Sequence, residues 1–214
     1  MGWRHIAIVL VLAGSIAVGA EGALAQEGTA GNWRIGIFGA QWAETSLPTL
    51  PYNAVTGKLH FHGAYFTSVE LSRVLVRDFN LPTPLGTLPG NDIELSAQVV
   101  KHWGKQKHVE LTGVLGWRSG DWRFINGMAV NLAIANGLSV ALKRPKWEKG
   151  PEGIRGVHSR HVQFHIMTEL EFTPTAAPDW HMVLRLHHRS GIYGLISPRR
   201  TGSNYLGFGL RKDF

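Results

Sequence analysis

The sequence predicts an all-β protein, an eight-stranded antiparallel transmembrane β-barrel. Three observations carry this prediction: an apolar leader, repeated alternation of apolar and polar residues with period two, and an amphipathic C-terminal stretch that ends on Phe214. Alternation with period two is typical of strands that have one apolar face. The predicted strands cover eight segments: 33–42, 59–76, 92–103, 108–118, 123–142, 160–172, 179–192 and 203–214. The segment 123–142 is ambiguous and could contain a helical turn.

The leader has the organisation of a secretory signal peptide. Arg4 and His5 precede the apolar run IAIVLVLAGSIAVGA, and Ala23-Leu24-Ala25 has the small-x-small pattern of a cleavage site. The apolar run is short for a membrane-spanning helix. We therefore expect a signal peptide over 1–25 and a barrel domain over 26–214. The chain has no cysteine, so the fold must be held by packing and hydrogen bonds alone.

A soluble sandwich or a lipocalin-like barrel would also alternate, but the ends of the segments favour a membrane barrel. Six tryptophans lie at or near segment ends, as the aromatic girdles of membrane barrels do. They are Trp33, Trp42, Trp103, Trp117, Trp122 and Trp180. The final stretch NYLGFGLRKDF resembles the C-terminal assembly signal of bacterial outer-membrane barrels. The sequence thus predicts a protein of the outer membrane.

Charge limits the partners of the protein. A formal net charge of +7 favours an anionic partner. Nucleic acid is a poor candidate for an exported chain without a nucleic-acid motif, whereas phosphorylated lipid head groups fit; a merely basic soluble surface is the alternative. Eight strands enclose an interior filled by side chains, so we do not expect a transport pore. The polar side chains expected to point inward and pair there are Glu94, Gln98, Glu110, His165, Glu169, Glu171, Arg185 and His187.

The stretch LRLHHRSGIYG, residues 184–194, breaks the simple pattern. Leu184 and Leu186 lie on the apolar face, and the same face continues with His188 and Ser190. Polar groups on a lipid-facing surface cost free energy unless they are paired. A histidine can take the proton of a serine hydroxyl and make it a nucleophile. The sequence therefore predicts a catalytic pair on the outer surface.

A third residue is expected to orient the imidazole. Asn204 lies on the outward face of the last segment, together with Leu206. A turn centred on Ser197-Pro198 would place Asn204 opposite Ser190. Because barrel termini normally face the periplasm, this patch is expected at the outer leaflet.

These residues carry a resemblance to a known family. LRLHHRSGIYGLI…GSNYLGFGLRKDF, over about the last 40 residues, resembles the PagL family of lipid A 3-O-deacylases, and ELSAQVVKHWGKQKHVELTGVLGWR resembles their central strands more loosely. The resemblance implies a serine esterase of the outer membrane that acts on lipid A of lipopolysaccharide, with its His-x-Ser pair at His188 and Ser190. Better-known members have a glutamate where this chain has Asn204. An amide can still accept the imidazole N–H but supplies no charge, so Asn204→Glu is expected to preserve or raise activity.

Further residues have two interpretations each. The Gly191 N–H is a candidate oxyanion donor, or Gly191 only relieves crowding. Arg199 and Arg200 are candidates for binding lipid A phosphates, or ordinary loop charges. Metal ligation by His60 with His62, or by His161 with His165, is not expected because no carboxylate or cysteine completes either set.

No cofactor is expected, and the oligomeric state is left open. Two rival functions remain. One is a catalytically inactive outer-membrane barrel with a structural or adhesion role, and the other is a soluble lipid-carrying barrel with its apolar faces inside.

Overall fold

The computed structural model describes residues 32–148, 158–199 and 201–214. The expected signal peptide and Arg200 therefore lie outside the described residues. Nine strands make up most of the described chain: β1 (Trp33–Ala43), β2 (Phe61–Thr83), β3 (Gly86–Gly104), β4 (Val109–Arg118), β5 (Trp122–Ile125), β6 (Met128–Ala141), β7 (Val162–Pro174), β8 (Trp180–Ser190) and β9 (Gly202–Asp213). A 3-10 helix (Leu47–Thr49) and the helix α1 (Leu50–Val55) follow β1, and a second 3-10 turn (Ile192–Gly194) follows β8.

The strands form one antiparallel sheet that closes into a barrel. Strands that follow one another in sequence pair with each other, except that β4 pairs with β6 instead of β5, and β1 pairs with β9. The ring therefore contains eight strands, and β5 pairs only with the start of β6. The all-β, eight-stranded prediction is confirmed. The ambiguous segment 123–142 contains a hairpin turn at Gly127, where φ is +73° and favours glycine.

The two chain ends complete the wall. Trp33 donates its N–H to the carbonyl of Phe214 at 3.3 Å, and Phe214 donates back to Trp33 at 2.9 Å. Closure matters because lipid offers no partner for an open strand edge. The terminal aromatic is thus the last rung of the β1–β9 ladder.

Side chains alternate across the wall as the sequence predicts. On β8, Leu184 is 51% exposed while Arg185 on the opposite face is buried. The same alternation of exposed apolar and buried polar residues runs along β3, β4 and β7. This alternation makes the outer surface apolar and the interior polar, as in outer-membrane barrels.

Among the described helices, none is both long enough and apolar enough to cross a membrane.

The six tryptophans expected in the girdle differ in their surroundings, and Trp117 is half-buried with its Nε1 donating to Asn91 at 3.0 Å. Trp33, Trp103, Trp122 and Trp180 are between 41% and 47% exposed at strand ends, as expected for an aromatic girdle. Trp42 does not belong to it. Its ring points inward, 5.8 Å from the ring of Tyr205, because Ala40 and Trp42 pack against the interior apolar cluster. The girdle interpretation of Trp42 is wrong.

The interior contains a network of buried ion pairs near the end where the chain termini lie. Four arginines and four glutamates share carboxylate oxygens among several partners, and Glu169 accepts from three arginines. The members of this inner charge network are Arg34, Arg118, Arg185, Arg211, Glu70, Glu94, Glu169 and Glu171. Pairing of this kind offsets the cost of burying charge. The inward set expected from the sequence is confirmed as internally bonded.

Candidate functional site

The site lies where β8 ends and β9 begins. His188 and Ser190 are half-buried on the face that also carries the exposed Leu184, whereas His187 and Arg189 between them are fully buried inside. The alternation predicted for this stretch is therefore present. Strand β8 therefore has polar residues on both sides of the barrel wall, and those on the outer side lie next to apolar ones.

His188 is held by Asn204 on the neighbouring strand. The His188 Nδ1 atom lies 2.5 Å from Asn204 Oδ1, and Asn204 Nδ2 donates to the backbone carbonyl of Thr45 at 2.5 Å. A carbonyl can only accept, so the amide must turn its NH₂ group to Thr45 and its oxygen to His188. The imidazole therefore carries its proton on Nδ1. Nε2 is left as the basic nitrogen, which is the tautomer that a general base requires.

The register of this hairpin differs from the expected one. Asn204 lies opposite His188, and Gly202 rather than Asn204 lies opposite Ser190. The connection is a longer loop that begins with the 3-10 turn Ile192–Gly194 directly after β8. It is therefore not a tight turn around Ser197-Pro198. The predicted pairing of Asn204 with Ser190 is wrong, and the observed pairing puts the amide beside the imidazole it binds.

Thr45 is a part of the site that sequence reasoning missed. It follows β1 and is buried, and it covers Asn204, which is itself only 7% exposed although its position is on the outward side of β9. Asn53 of α1 donates to the Thr45 hydroxyl at 3.5 Å. The segment between β1 and β2 thus folds over the outer surface at this point. No local pattern around Thr45 indicates this contact.

Ser190 is the last residue of β8 and opens a strained turn. Its Oγ accepts the Ile192 N–H at 3.1 Å, and within the described chain no hydrogen bond joins it to His188. Ile192 has φ of +45° and Tyr193 of +52°, a left-handed region that β-branched and bulky residues avoid. Strain of this kind persists only where surrounding contacts enforce it, and it is common at functional sites.

Gly191 anchors that turn. Its carbonyl accepts N–H groups from Gly194 at 3.2 Å and Ile196 at 3.1 Å. A Cβ on Gly191 would lie 2.4 Å from the Ser197 carbonyl oxygen, so no larger residue fits without movement. The crowding interpretation of Gly191 therefore has a physical basis, and its N–H as an oxyanion donor stays a prediction.

Apolar side chains surround the pair. On β7, Phe164 lies opposite Ser190 and Ile166 opposite His188, and both point to the outer side. Leu186 on β8 lies opposite Leu206 on β9, one step below the His188–Asn204 pair. Such a surface suits an acyl chain that lies along the barrel wall.

Arg189 supports the pair from inside. It bonds both carboxylate oxygens of Glu148 at 2.7 and 2.8 Å, the Ser139 hydroxyl at 2.8 Å and the carbonyl of His161 at 3.2 Å. From β7, His165 donates through Nδ1 to the backbone carbonyl of His188 at 3.0 Å. The backbone between His188 and Ser190 is thus fixed on its inner side.

Arg199 lies in the connection between β8 and β9. It is exposed, and its Nε donates to the carbonyl of Tyr193 at 3.0 Å. This contact places its guanidinium beside the strained turn that follows Ser190. Its role toward phosphate stays a prediction, as does that of Arg200.

A metal-compatible set occurs elsewhere, at residues that the sequence did not indicate as metal ligands. His102, His108 and Glu110 are buried and offer ligand atoms within 4.8 Å of one another. The two imidazoles, however, stack face to face, 4.1 Å apart and 9° from parallel, which does not direct their nitrogens to one point. Glu110 already accepts from His102, His187 and Ser139. Burial and the neighbouring His102 lower the pKa of His108 to about 3, so we interpret His108 as a neutral imidazole that stacks on His102 beside a hydrogen-bonded carboxylate.

Comparison with known proteins supports the fold. No protein-family model matches the chain, and no curated protein matches it. Among solved structures, the crystal structure of the outer membrane enzyme PagL is similar with a TM-score of 0.54 and 8% identity, over 83% of this chain and 98% of that chain. Neisserial surface protein A is similar with a TM-score of 0.49 and 9% identity, over 87% of this chain and all of that one. The chain has the fold of an outer-membrane β-barrel, and at these identities the likeness concerns the fold alone.

Proposed function

We propose that the protein is an outer-membrane serine esterase that removes an ester-linked acyl chain from lipid A of lipopolysaccharide, at the 3-O position by the family resemblance. The observation that carries the proposal is the 2.5 Å contact between His188 Nδ1 and Asn204 Oδ1, with Ser190 two residues further on the same outward face. Asn204 also holds Thr45, but a histidine beside a serine on an apolar surface has no such structural purpose, since polar groups there cost free energy. As a general base with a nucleophile it has a chemical one.

The reaction follows from the tautomer. His188 Nε2 takes the Ser190 hydroxyl proton while Oγ attacks the ester carbonyl, with the Gly191 N–H as candidate donor to the oxyanion. The protonated imidazole returns the proton to the leaving sugar oxygen, and an acyl-serine remains. Water, deprotonated by His188 Nε2, then attacks the acyl carbonyl, releases the fatty acid and restores the serine.

Two features of the wall favour a lipid substrate. The pair already faces outward between Phe164, Ile166 and Leu186, so the acyl chain reaches it from the leaflet without entering a pocket. Arg199, and Arg200 beside it in sequence, would meet the lipid A phosphates at the rim. Ser190 changes its Ile192 contact for one with His188 as the substrate arrives, since catalytic hydrogen bonds often tighten only in the complex.

A second candidate is an inactive barrel with a structural or adhesion role. The Ile192 N–H contact of Ser190 and the amide in place of a carboxylate at Asn204 favour it. In that case His188 and Ser190 contribute nothing to lipid chemistry.

Mass spectrometry of lipid A separates the two candidates. Cells that express the wild-type chain are expected to contain lipid A lighter by one ester-linked acyl chain and to release that fatty acid. Cells that express Ser190→Ala at the same level, with the same heat-modifiable mobility on gels, are expected to contain unmodified lipid A. Identical lipid A in both strains and in the empty-vector control would favour the inactive barrel.

A further inference from the structure

A second charged region lies at the same end of the barrel, beside β4 and β6. Asn204 of β9 lies opposite Ala43 of β1, and Gly104 of β3 lies opposite Ala64 of β2, so the β3–β4 turn and Ser190 share one rim. In the ring of eight strands, β6 lies two strands from β8 and β4 lies three strands from it, by way of β7. The region is therefore separated from His188 on β8 by at least the width of β7.

Five cations line a cavity of about 180 Å³ in this region. We call them the cationic cluster: Lys105, Lys107, Lys143, Arg144 and Lys146. Lys105 and Lys107 come from the β3–β4 turn and the other three from the segment after β6, and all five are exposed. Among the described residues, no acidic side chain lines the cavity and no salt bridge neutralises any of the five.

Like charges brought together by two separate segments repel one another, so the arrangement costs free energy unless an anion is bound. His108 also lines the cavity and adds no carboxylate. The nearest carboxylate in sequence, Glu148, is buried and bonded to Arg189 and Ser203. The cluster is therefore built to meet negative charge from outside the protein.

Aromatic side chains place this cluster at the level of lipid head groups. Trp103 is 47% exposed just below the turn and stacks on Tyr65 at 4.6 Å. Lys105 Nζ lies 5.3 Å above the ring of Trp147, which is also exposed. Exposed tryptophan and tyrosine mark the boundary between hydrocarbon and head groups, and lysines just beyond that boundary meet lipid phosphates.

We propose that the cationic cluster binds the phosphate groups of a phosphorylated lipid at the outer rim, at a site separate from His188 and Ser190. The ligand is the phosphate of a head group whose acyl chains lie along the exposed faces of β3 and β4. These faces carry Val99, Leu111 and Leu115, all at least 42% exposed. The site does not depend on the esterase proposal, and it would serve an inactive barrel equally well as a lipid anchor.

The test measures lipid binding to the detergent-solubilised chain by native mass spectrometry. It uses the Ser190→Ala background, so that turnover cannot consume the ligand. The ligands are phosphorylated lipid A and the same lipid A with its phosphates removed. The variant Lys105→Gln/Lys107→Gln/Lys143→Gln is compared with Arg73→Gln/Arg123→Gln/Lys212→Gln, which removes three exposed cations at the opposite end. If the cluster variant fails to show heat-modifiable mobility, Lys107→Glu alone replaces it.

We expect the cluster variant to bind phosphorylated lipid A at least tenfold more weakly and the control variant to stay within twofold of the parent. Removing the lipid phosphates should cause a similar loss, and the affinity of the parent should fall more steeply with salt than that of the cluster variant. Equal affinity for both lipids, or equal affinity of parent and cluster variant, would overturn the proposal. Displacement of the lipid by millimolar inorganic phosphate alone would overturn its lipid part and indicate a free-anion site.

Discussion

The two faces of β8 place polar residues in opposite circumstances. Inside, Arg185, His187 and Arg189 each bond a buried carboxylate: Glu169, Glu110 and Glu148 respectively. Outside, the side chain that His188 bonds is the neutral amide of Asn204, and in the described chain the Ser190 hydroxyl accepts from Ile192 but donates to no residue. Polar groups whose bonds are complete hold a structure together, whereas a base and a hydroxyl with unused capacity can act on another molecule. We infer that β8 stabilises the barrel from its inner face and carries the chemistry on its outer face.

Replacing each of the two neighbouring histidines by alanine gives the sharpest contrast between the two faces of β8. His188→Ala removes the general base, so deacylation by purified protein should fall on the order of 10⁴-fold while the barrel still folds. His187→Ala loses the 3.0 Å contact with Glu110 and should lower the free energy of unfolding by about 1–3 kcal/mol, with turnover within about tenfold of wild type. Rates come from released fatty acid and folding from heat-modifiable mobility. Equal loss of turnover in both variants would show that the two faces do not differ in role.

Arg189 should show the largest effect on stability. Arg189→Met leaves the Glu148 carboxylate buried without its cation, which typically costs about 3–5 kcal/mol. Denaturant unfolding in detergent measures the loss, and turnover per folded molecule should change much less. As a control, adding Glu148→Gln to Arg189→Met removes the stranded charge and should recover part of the stability. An Arg189→Met barrel as stable as wild type would contradict the structural role of the inner pair.

Gly191 tests whether the strained turn positions the nucleophile. Gly191→Ala forces a Cβ to within 2.4 Å of the Ser197 carbonyl oxygen, and the resulting shift of Ser190 should lower turnover by about 10²-fold. Gly113→Ala is the matched control, because a Cβ there meets nothing within 4 Å. Steady-state rates should separate the two variants, and equal rates would mean that the turn does not set the position of Ser190.

Asn204 should give the smallest effect, and the order of its variants is informative. Asn204→Ala leaves the imidazole without its acceptor and should lower turnover about tenfold or somewhat more. The resemblance favours a gain from Asn204→Glu, but the Thr45 carbonyl changes that expectation. A carboxylate would face the Thr45 oxygen at the place where Nδ2 now donates, at a cost of about 1–3 kcal/mol. We therefore expect Asn204→Glu to be less stable and no faster than wild type, and a faster Asn204→Glu enzyme would show that charge outweighs the Thr45 contact.

Sequence periodicity located most of this site because each strand obeys a period of two. Within residues 184–190, the even-numbered residues share the outward face, which separates His188 and Ser190 from Arg189. The same alternation along the last strand adds Asn204. The hairpin register was missed by two residues because turn geometry sets it. Here the turn contains Ile192 and Tyr193 at positive φ, a conformation that these residue types do not indicate.

Contacts made by irregular segments could not be predicted from the sequence either, because residue alternation does not indicate how a loop folds. Thr45 and Glu148 join the site only when long connections fold back onto the barrel, and neither lies in an alternating pattern. The inward stack of His102 and His108 could have been found, since both residues have inward parity on either side of the GKQK turn. Trp42 has inward parity as well, and only its place at a strand end suggested a girdle residue.

The most direct test of the outer pair is covalent labelling with a fluorophosphonate, a serine-directed probe, followed by mass spectrometry of the intact protein and its peptides. We expect the folded wild-type chain to gain one label, on Ser190. The label should be absent from Ser190→Ala, strongly slowed in His188→Ala and retained in the folded fraction of Arg189→Met. A folded wild-type protein that stays unlabelled, or that is labelled at another residue, would contradict the assignment of His188 and Ser190 as base and nucleophile.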